Sequence, residues 1–424
     1  MKRLSSLGWT FAVGPLFAFS LLGYTLQEKS HGGGVAALLL AGLVALGSLS
    51  AQRRIRSQGA VNHWAFDELV ITIGYGLLAA STPLVVGMYG GVHELTGDPF
   101  PMGWTGLTGL VALVCVAAVV LLNGKGTKVA IRSESVVSAT SLVLATFGII
   151  IALAVIVQGG LNGNQIRTFT FQGVPWHSVC AGIALAVPFF FGADYAVTRS
   201  DELGEDAKRW SRANLFWLVG FVALLQYSGA IGTAVTWMDP PALSPLANTY
   251  LGSSARGIAW FSVIMSGLVY SVLLAVLFAR RLAVHGASRL VRSLTVALML
   301  VSTILASMSI ATDFRIDKST GTYAALSVFL NVSGVGGALL VAGLATGCLR
   351  AIFVTRSMKM GAMEYAPSAV GLLGLSLALY GYFWRGVTSA PMARSELLTV
   401  VGGVIAVAAL VSWRRMQRSS EVVQ

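Results

Sequence analysis

Residues 186–194 read Ala-Val-Pro-Phe-Phe-Phe-Gly-Ala-Asp, and they lie at the end of a hydrophobic run that has no charged residue from 168 to 193. Pro188 has no backbone N–H, and its ring clashes with the carbonyl one turn earlier, so it interrupts a helix. An interrupted backbone is costly in lipid unless it lines a cavity or neighbouring groups satisfy it. These residues therefore predict a membrane helix, 177–198, that is broken between Pro188 and Gly192.

A second interruption of the same kind occurs near the start of the chain. Residues 12–17 read Ala-Val-Gly-Pro-Leu-Phe, inside the charge-free run 4–27. The two interruptions fall in the first and sixth hydrophobic segments, which would begin two halves of five helices each. Paired breaks at corresponding places are typical of transporters built from inverted repeats. Two ordinary proline kinks are the alternative interpretation.

Twelve windows lack Asp, Glu, Lys and Arg, and each has at least 17 residues. A helix needs about 20 apolar residues to cross the hydrocarbon core. Hydrophobic residues make up 55% of the chain and charged residues 11%. The sequence therefore predicts an all-α polytopic membrane protein with about 12 transmembrane helices, at residues 8–26, 34–52, 66–90, 103–122, 135–157, 177–198, 212–235, 256–281, 289–312, 323–349, 364–384 and 395–413.

No soluble domain separates these spans, so residues 1–424 are expected to form a single transmembrane domain. Its first five-helix repeat would cover 8–157 and its second 177–349, and 364–413 would add two further helices. The formal net charge is +12. Of the 29 Lys and Arg residues, 22 alternate onto one side of this topology and 7 onto the other. The basic composition therefore indicates topology rather than a nucleic-acid partner, and it predicts that both termini are cytoplasmic.

Residues 190–202 read Phe-Phe-Gly-Ala-Asp-Tyr-Ala-Val-Thr-Arg-Ser-Asp-Glu, which resembles the span-6 signature of amino acid–polyamine–organocation (APC) superfamily permeases. That signature has aromatic residues, then G-F-D/E, and an E-E pair further on. Residues 244–247, Ser-Pro-Leu-Ala, and 279–286, Ala-Arg-Arg-Leu-Ala-Val-His-Gly, are similar to the entry and exit motifs of the family's span 8. Residues 58–64 match the entry to span 3 more weakly.

The resemblance implies a leucine-transporter-like fold, with a 5+5 inverted repeat, broken helices 1 and 6, and two extra helices. It implies a substrate site where the half-helix ends meet. The substrate-binding candidates are Val13, Gly14, Pro15, Leu16, Phe17, Tyr75, Phe189, Phe190, Phe191, Gly192 and Asp194. The chain departs from the family at Pro15, which replaces the second glycine of a G-x-G stretch and so removes an amide donor.

Asp194 is the only acidic residue well inside a predicted span. A carboxylate at that depth is expensive, which favours a role as a cation partner or proton acceptor. The alternative is a cap for the half-helix that follows it. Ser262 and Ser266 are four residues apart on one helix face and are candidates for ion coupling; the alternative is that they bond their own backbone. Asp67 and Glu68 are expected in a solvated first turn of span 3.

The function expected from these features is secondary active transport of a small amino acid or related amine across a bacterial cytoplasmic (inner) membrane. The coupling ion would be H⁺ or Na⁺, and no other cofactor is expected. The five histidines lie at span ends or in loops without metal-ligand spacing, and no nucleophile motif is present, so an enzyme is not expected. The expected partners are a small amino compound and the lipid bilayer. The alternatives are a non-transporting sensor with a permease fold and a flippase.

Overall fold

The computed structural model describes residues 2–57, 65–87, 127–159, 167–195, 205–232, 243–284, 315–317, 322–358, 361–385 and 394–421. Within these residues, nine helical segments are long and apolar enough to cross a membrane, judged by length and composition. A tenth apolar helix, at Trp176–Phe190, is shorter. The chain is therefore an all-α multi-pass membrane protein, as its hydrophobic pattern predicts.

Twelve α-helices lie in the described residues. They are α1 (Lys2–Phe11), α2 (Pro15–Lys29), α3 (Gly34–Ser57), α4 (Phe66–Val85), α5 (Thr127–Gly159), α6 (Trp176–Ala186), α7 (Glu205–Gly232), α8 (Leu243–Leu251), α9 (Ser253–Val284), α10 (Ala324–Ser357), α11 (Ala362–Arg385) and α12 (Arg394–Glu421). A short antiparallel pair, β1 (Arg315–Asp317) and β2 (Thr322–Tyr323), precedes α10.

The first predicted span is broken, as the Gly-Pro pair indicates. The helix α1 ends at Phe11, and α2 begins at Pro15. Gly14 has φ 67° and ψ 51°, which is left-handed backbone that a residue with a Cβ adopts only at a cost. Pro15 fits the first helical position, because the N–H that it lacks would have no partner inside the helix there.

The sixth span is broken too. The helix α6 ends at Ala186, and a single 3₁₀ turn covers Val187–Phe190. Phe191 is extended, and Gly192 has φ 93°. A Cβ on Gly192 would lie 2.8 Å from Cδ2 of Leu273 in α9, so the glycine permits both the turn and the close approach of α9.

Packing brings the two breaks together. The helix α2 packs against α6, the 3₁₀ turn and α9. The helix α4 packs between α9 and α10, and α11 packs against α3, α6 and α10. Most buried apolar side chains form one core that includes Leu16, Phe17 and Phe189. The fold thus places the interrupted backbone of spans 1 and 6 in the interior rather than against lipid.

The structure differs from the predicted spans in two ways. Helices continue past the apolar windows, because their polar ends reach beyond the hydrocarbon; α12 ends at Glu421 and not at residue 413. The segment 236–255, expected as a connection, contains α8. The predicted spans 103–122 and 289–312 lie outside the described residues.

Candidate functional site

Asp194 is joined to two other spans by its side chain. The Tyr75 hydroxyl donates to Oδ1 of Asp194 at 2.5 Å, and Nη2 of Arg281 donates to Oδ2 at 3.1 Å. All three residues are buried, with Arg281 only 4% exposed. The Arg281 guanidinium carbon also lies 5.4 Å from the centre of the Tyr75 ring. The carboxylate at the break of span 6 is thus held by α4 and α9 together.

Arg281 reaches this position because of its helix register. Residues 266, 270, 273, 277 and 281 are separated by three or four positions, so they share one face of α9. Leu273 and Leu277 on that face pack close to Gly192, at the place where a Cβ would project from it. Gly192 lies two residues before Asp194. Arg281 is the next position on the same face, one turn nearer the Lys/Arg-rich side of the molecule.

Asp67 and Glu68 do not form a solvated first turn, and the expectation for them is wrong. Asp67 is 5% exposed and accepts bonds from Nη1 of Arg350 at 3.1 and 3.3 Å. Glu68 accepts a bond from Nη1 of Arg281 at 2.5 Å and also interacts electrostatically with Arg56. The packing of α10 on α4 buries Asp67, Glu68 stays 18% exposed, and each acid is compensated by an arginine from another span.

A small cavity adjoins Asp194 on the side of α3 and α11. The cavity has a volume of about 40 Å³. Its polar lining includes Ser48, Gln52, Tyr75 and Asp194. The buried Nε2 of Gln52 has no hydrogen-bond partner. Five of the predicted substrate-binding residues line this cavity: Tyr75, Phe190, Phe191, Gly192 and Asp194.

The predicted residues of span 1 lie elsewhere. Pro15 and Leu16 line a separate crevice together with Ser266, and that crevice has no space for a water-sized molecule. The N–H of Phe17 points to Oγ of Ser266 at 3.4 Å. Val13 and Phe189 are buried in the core. The structure therefore does not gather the candidates of spans 1 and 6 around one open space.

The two serines proposed for ion coupling are both buried in α9. The Ser262 hydroxyl donates to the carbonyl of Ile258, four residues earlier, which is the bond to its own backbone that the alternative interpretation describes. Ser266 faces the break of span 1 through its contact with Phe17. The ion-coupling role of both serines stays a prediction.

A second polar cluster lies near the opposite end of the helices. This glutamine cluster consists of Gln27, Gln226 and Thr168, which belong to α2, α7 and the segment before α6. Gln226 donates to the carbonyl of Gly23 at 2.9 Å and to Oε1 of Gln27 at 3.3 Å, and Thr168 donates to the same Oε1 at 3.4 Å. These side chains are buried and tie α2 to its neighbours.

Sequence reasoning missed Arg281, Arg350 and the glutamine cluster. For Arg281 a signal exists: it continues the stripe of Ser266 and Tyr270 on α9. For Arg350 and for the pairing of Gln27 with Gln226 the local sequence holds no signal, because each partner is more than 190 residues away. Among the residues that the structure describes, no group of three or more His, Cys, Asp or Glu side chains could hold a metal ion.

No protein-family model matches the chain. No curated protein matches it either. Among solved structures, the chain is similar to the manganese transporter of Eremococcus coleocola in complex with an aromatic bis-isothiourea substituted compound, with TM-score 0.60 and 13% identity over 98% of this chain and 94% of that one. It is also similar to MhsT in complex with L-phenylalanine, with TM-score 0.53 and 13% identity over 97% of this chain and 98% of that one. The fold of the chain is therefore the leucine-transporter-like fold of these transporters.

Proposed function

We propose that the chain is a secondary active transporter that moves a small amino acid or related amine across the membrane by alternating access. The observation that carries this proposal is the position of Asp194. It is a buried carboxylate at the break of span 6, it is bonded to Tyr75, and it borders a cavity. Ionisable groups at such depth mark substrate, ion or proton pathways in membrane proteins. The fold shared with solved transporters supports the same function.

The lining of the cavity supports a cargo that carries an amino group. Asp194 suits a positive charge, and Phe190 and Phe191 offer aromatic faces that attract cations and apolar groups. The present space of about 40 Å³ holds water but not a drug-sized ligand, whose pockets measure about 300–1,000 Å³. The cargo would therefore enter only after the helices around Asp194 separate.

Two clusters are suited to close the site from opposite ends. On the Lys/Arg-rich side, Glu68, Asp194 and Arg281 join spans 3, 6 and 8. Near the other end, the glutamine cluster joins span 1 to span 7 and to the segment before span 6. Alternating access would break one cluster while the other stays formed. Because both clusters are formed, the site is closed at both ends, which supports a transporter in an occluded conformation.

The proposal includes a bacterial cytoplasmic membrane, with both termini inside and the gradient of H⁺ or Na⁺ as the driving force. The distribution of Lys and Arg supports this orientation. No catalytic activity and no bound cofactor form part of the proposal.

The test uses purified full-length protein. A thermal-shift screen against amino acids and small amines identifies ligands, because a ligand stabilises the state that it binds. Uptake of the best ligand is then measured in proteoliposomes under an imposed pH or sodium gradient. We expect accumulation that follows one of the two gradients. Binding without any uptake would instead support the sensor, and no stabilisation by any amino compound would contradict the proposed cargo.

A further inference from the structure

One polar side chain in the wall of the Asp194 cavity has a donor that is not used. Among the described residues, the polar ones that line the cavity are Ser48, Gln52, Tyr75 and Asp194. The Tyr75 hydroxyl donates to Asp194, and Ser48 is hydrogen-bonded to Cys348. The buried Nε2 of Gln52 has no hydrogen-bond partner. A buried donor without an acceptor is unfavourable, so Gln52 is the lining residue that gains most from a bound acceptor.

The position of Gln52 follows from the helix register of α3. Residues 44, 48 and 52 line the cavity, and so do residues 45 and 49, so the lining residues recur at intervals of four on one helix face. Gln52 is the last of them, one turn nearer than Ser48 to the end of α3 that carries Arg54 and Arg56. The terminal torsion of a glutamine is broad, so the amide can turn its Nε2 toward the cavity while α3 stays in place.

The size and the chemistry of the cavity suit an oxygen atom that accepts from Gln52. A water molecule needs about 10–15 Å³ and two to four polar partners, and the cavity offers about 40 Å³. A water can accept from the amide of Gln52 and donate to another polar group of the wall. A cargo whose oxygen lies near its ammonium group can do the same, with the ammonium group at Asp194 and the oxygen at Gln52.

Span 1 does not offer a donor for such an oxygen. Pro15 has no backbone N–H, and the N–H of Phe17 points to Oγ of Ser266 at 3.4 Å. The crevice that Pro15 and Ser266 line has no space for a water-sized molecule. A donor for an oxygen beside Asp194 is therefore needed elsewhere, and the amide of Gln52 supplies one from α3.

We propose that Gln52 forms a second subsite of the Asp194 cavity and that this subsite binds an oxygen acceptor. In the occluded protein the acceptor is a water molecule, and in the loaded protein it is an oxygen of the cargo. A ligand that displaces an ordered water without replacing its hydrogen bonds loses affinity. The subsite therefore favours amino compounds that carry an oxygen near the ammonium group over plain amines. This preference rests on the proposed function, whereas the binding of water does not.

The first arm of the test compares two amines of equal length. Ethanolamine and propylamine differ only in a hydroxyl that replaces a methyl group. The thermal stability of the purified full-length protein is recorded against the concentration of each, at constant pH and ionic strength. We expect the wild type to bind ethanolamine more tightly than propylamine, and Gln52→Leu to lower this preference by at least about threefold. The matched control is Ser50→Ala, because Ser50 lies on α3 outside the cavity lining and donates to the carbonyl of Leu46.

The second arm detects the water and uses no amine. A short X-ray pulse turns water into hydroxyl radicals, which oxidise the side chains next to it, and mass spectrometry locates the products. Phe190 and Phe191 line the cavity, whereas the adjacent Phe189 is 0% exposed and does not. We expect oxidation of Phe190 and Phe191 to exceed that of Phe189 in the wild type. Gln52→Leu should lower this excess by at least about threefold, and Ser50→Ala should keep it.

The two arms separate the two sources of the oxygen. Oxidation that depends on Gln52 without a preference between the amines shows that water alone fills the subsite, and the preference without such oxidation shows that a cargo oxygen alone fills it. The proposal is overturned if neither effect depends on Gln52. If neither amine stabilises the wild type, the proposed cargo is contradicted, and the oxidation of Phe190 and Phe191 alone decides whether the subsite exists.

A second variant and a comparison within the wild type keep the test decisive if Gln52→Leu does not fold. Gln52→Met has a side chain of similar length without a donor, and it should lose the same effects. The comparison of Phe190 with Phe189 needs no variant. Equal oxidation of these two residues in the wild type would reject the bound water.

Discussion

The hydroxyl of Tyr75 lies 2.5 Å from Oδ1 of Asp194, although the two residues are 119 positions apart. Tyr75 belongs to the continuous helix α4, and Asp194 follows the broken backbone of span 6. The bond therefore couples a rigid helix to the segment that the fold leaves without regular helical bonding. Because the same carboxylate also binds Arg281, movement of any one of the three spans changes the surroundings of Asp194.

Asp194→Asn should give folded protein whose uptake is lost or no longer depends on pH. The asparagine keeps an oxygen for Tyr75 but has no charge for a cation or proton, and Arg281 still has Glu68. Transport in proteoliposomes at several pH values measures the effect. If Asp194 only caps a half-helix, asparagine should serve nearly as well. Near-normal uptake with unchanged pH dependence would then refute the cation role.

Tyr75→Phe should lower stability by about 1–3 kcal/mol, because Oδ1 of Asp194 loses a buried donor. The ring stays beneath Arg281, so the change isolates the hydroxyl. Unfolding of the purified protein by denaturant gives the difference. The double variant with Asp194→Asn is the control, since coupled residues show non-additive effects. If the losses of unfolding free energy in the two single variants add up to the loss in the double variant, the hydrogen bond between Tyr75 and Asp194 does not contribute to stability.

Arg350→Gln should destabilise the protein far more than Glu364→Gln does. Loss of Arg350 leaves Asp67 buried without its paired cation, and breaking such a pair costs about 3–5 kcal/mol. Glu364 pairs with Arg54 but is 47% exposed, and surface pairs contribute about 0–1 kcal/mol. Thermal unfolding of the two variants side by side measures the contrast. Equal losses would show that the burial of Asp67 does not matter.

Gly14→Ala should be more damaging than Gly173→Ala, although both glycines have positive φ, at 67° and 75°. A Cβ on Gly14 would lie 2.8 Å from Cβ of Tyr270 and 3.0 Å from the carbonyl oxygen of Ser266, whereas a Cβ on Gly173 would meet nothing within 4 Å. The Gly173 variant therefore reports backbone strain alone, of about 1–3 kcal/mol. The yield of folded protein and its melting temperature are compared for the two variants. If both variants lose the same amount, α9 can move away from span 1 to accept the added Cβ.

Cysteine labelling should show which side of the membrane each loop and the two termini face. In a background without native cysteines, Thr170→Cys should react with a membrane-impermeant maleimide added outside the cell. Ser357→Cys, at the end of α10, should react only after the membrane is permeabilised. Both positions are exposed, so accessibility reflects the side of the membrane. The reverse pattern would place both termini outside and contradict the interpretation of the Lys/Arg distribution.

The breaks of spans 1 and 6 could be predicted from sequence because proline and glycine act locally. Pro15 and Pro188 remove donors wherever the rest of the chain lies, and the structure confirms that both helices are interrupted. The spans themselves follow from apolar length alone, which also depends on no distant residue.

The environment of the acidic residues could not be predicted in the same way. Asp67 begins a helix and is indistinguishable in sequence from a solvated first-turn acid, yet α10 covers it and Arg350 binds it from 283 positions away. Arg281 stands beside Arg280 in what looks like an ordinary basic helix end. Its place on the same helix face as Ser266 and Tyr270 is the one sequence signal that separates it from Arg280, and the packing of α9 against Gly192 turns that face inward. Ion pairs between spans depend on three-dimensional contacts that no local pattern encodes.

The bond between Arg281 and Asp194 also sets an order of events during synthesis. Arg281 follows Asp194 by 87 residues. At about 5–20 residues per second, the ribosome completes Arg281 roughly 4–17 s after Asp194. Tyr75 is already made by then, but the guanidinium is not, so during this interval span 6 holds a carboxylate without its cationic partner. The arrival of span 8 is therefore the step at which span 6 can settle in the bilayer, and a nascent chain that ends before Arg281 should leave Asp194 at a hydrated surface.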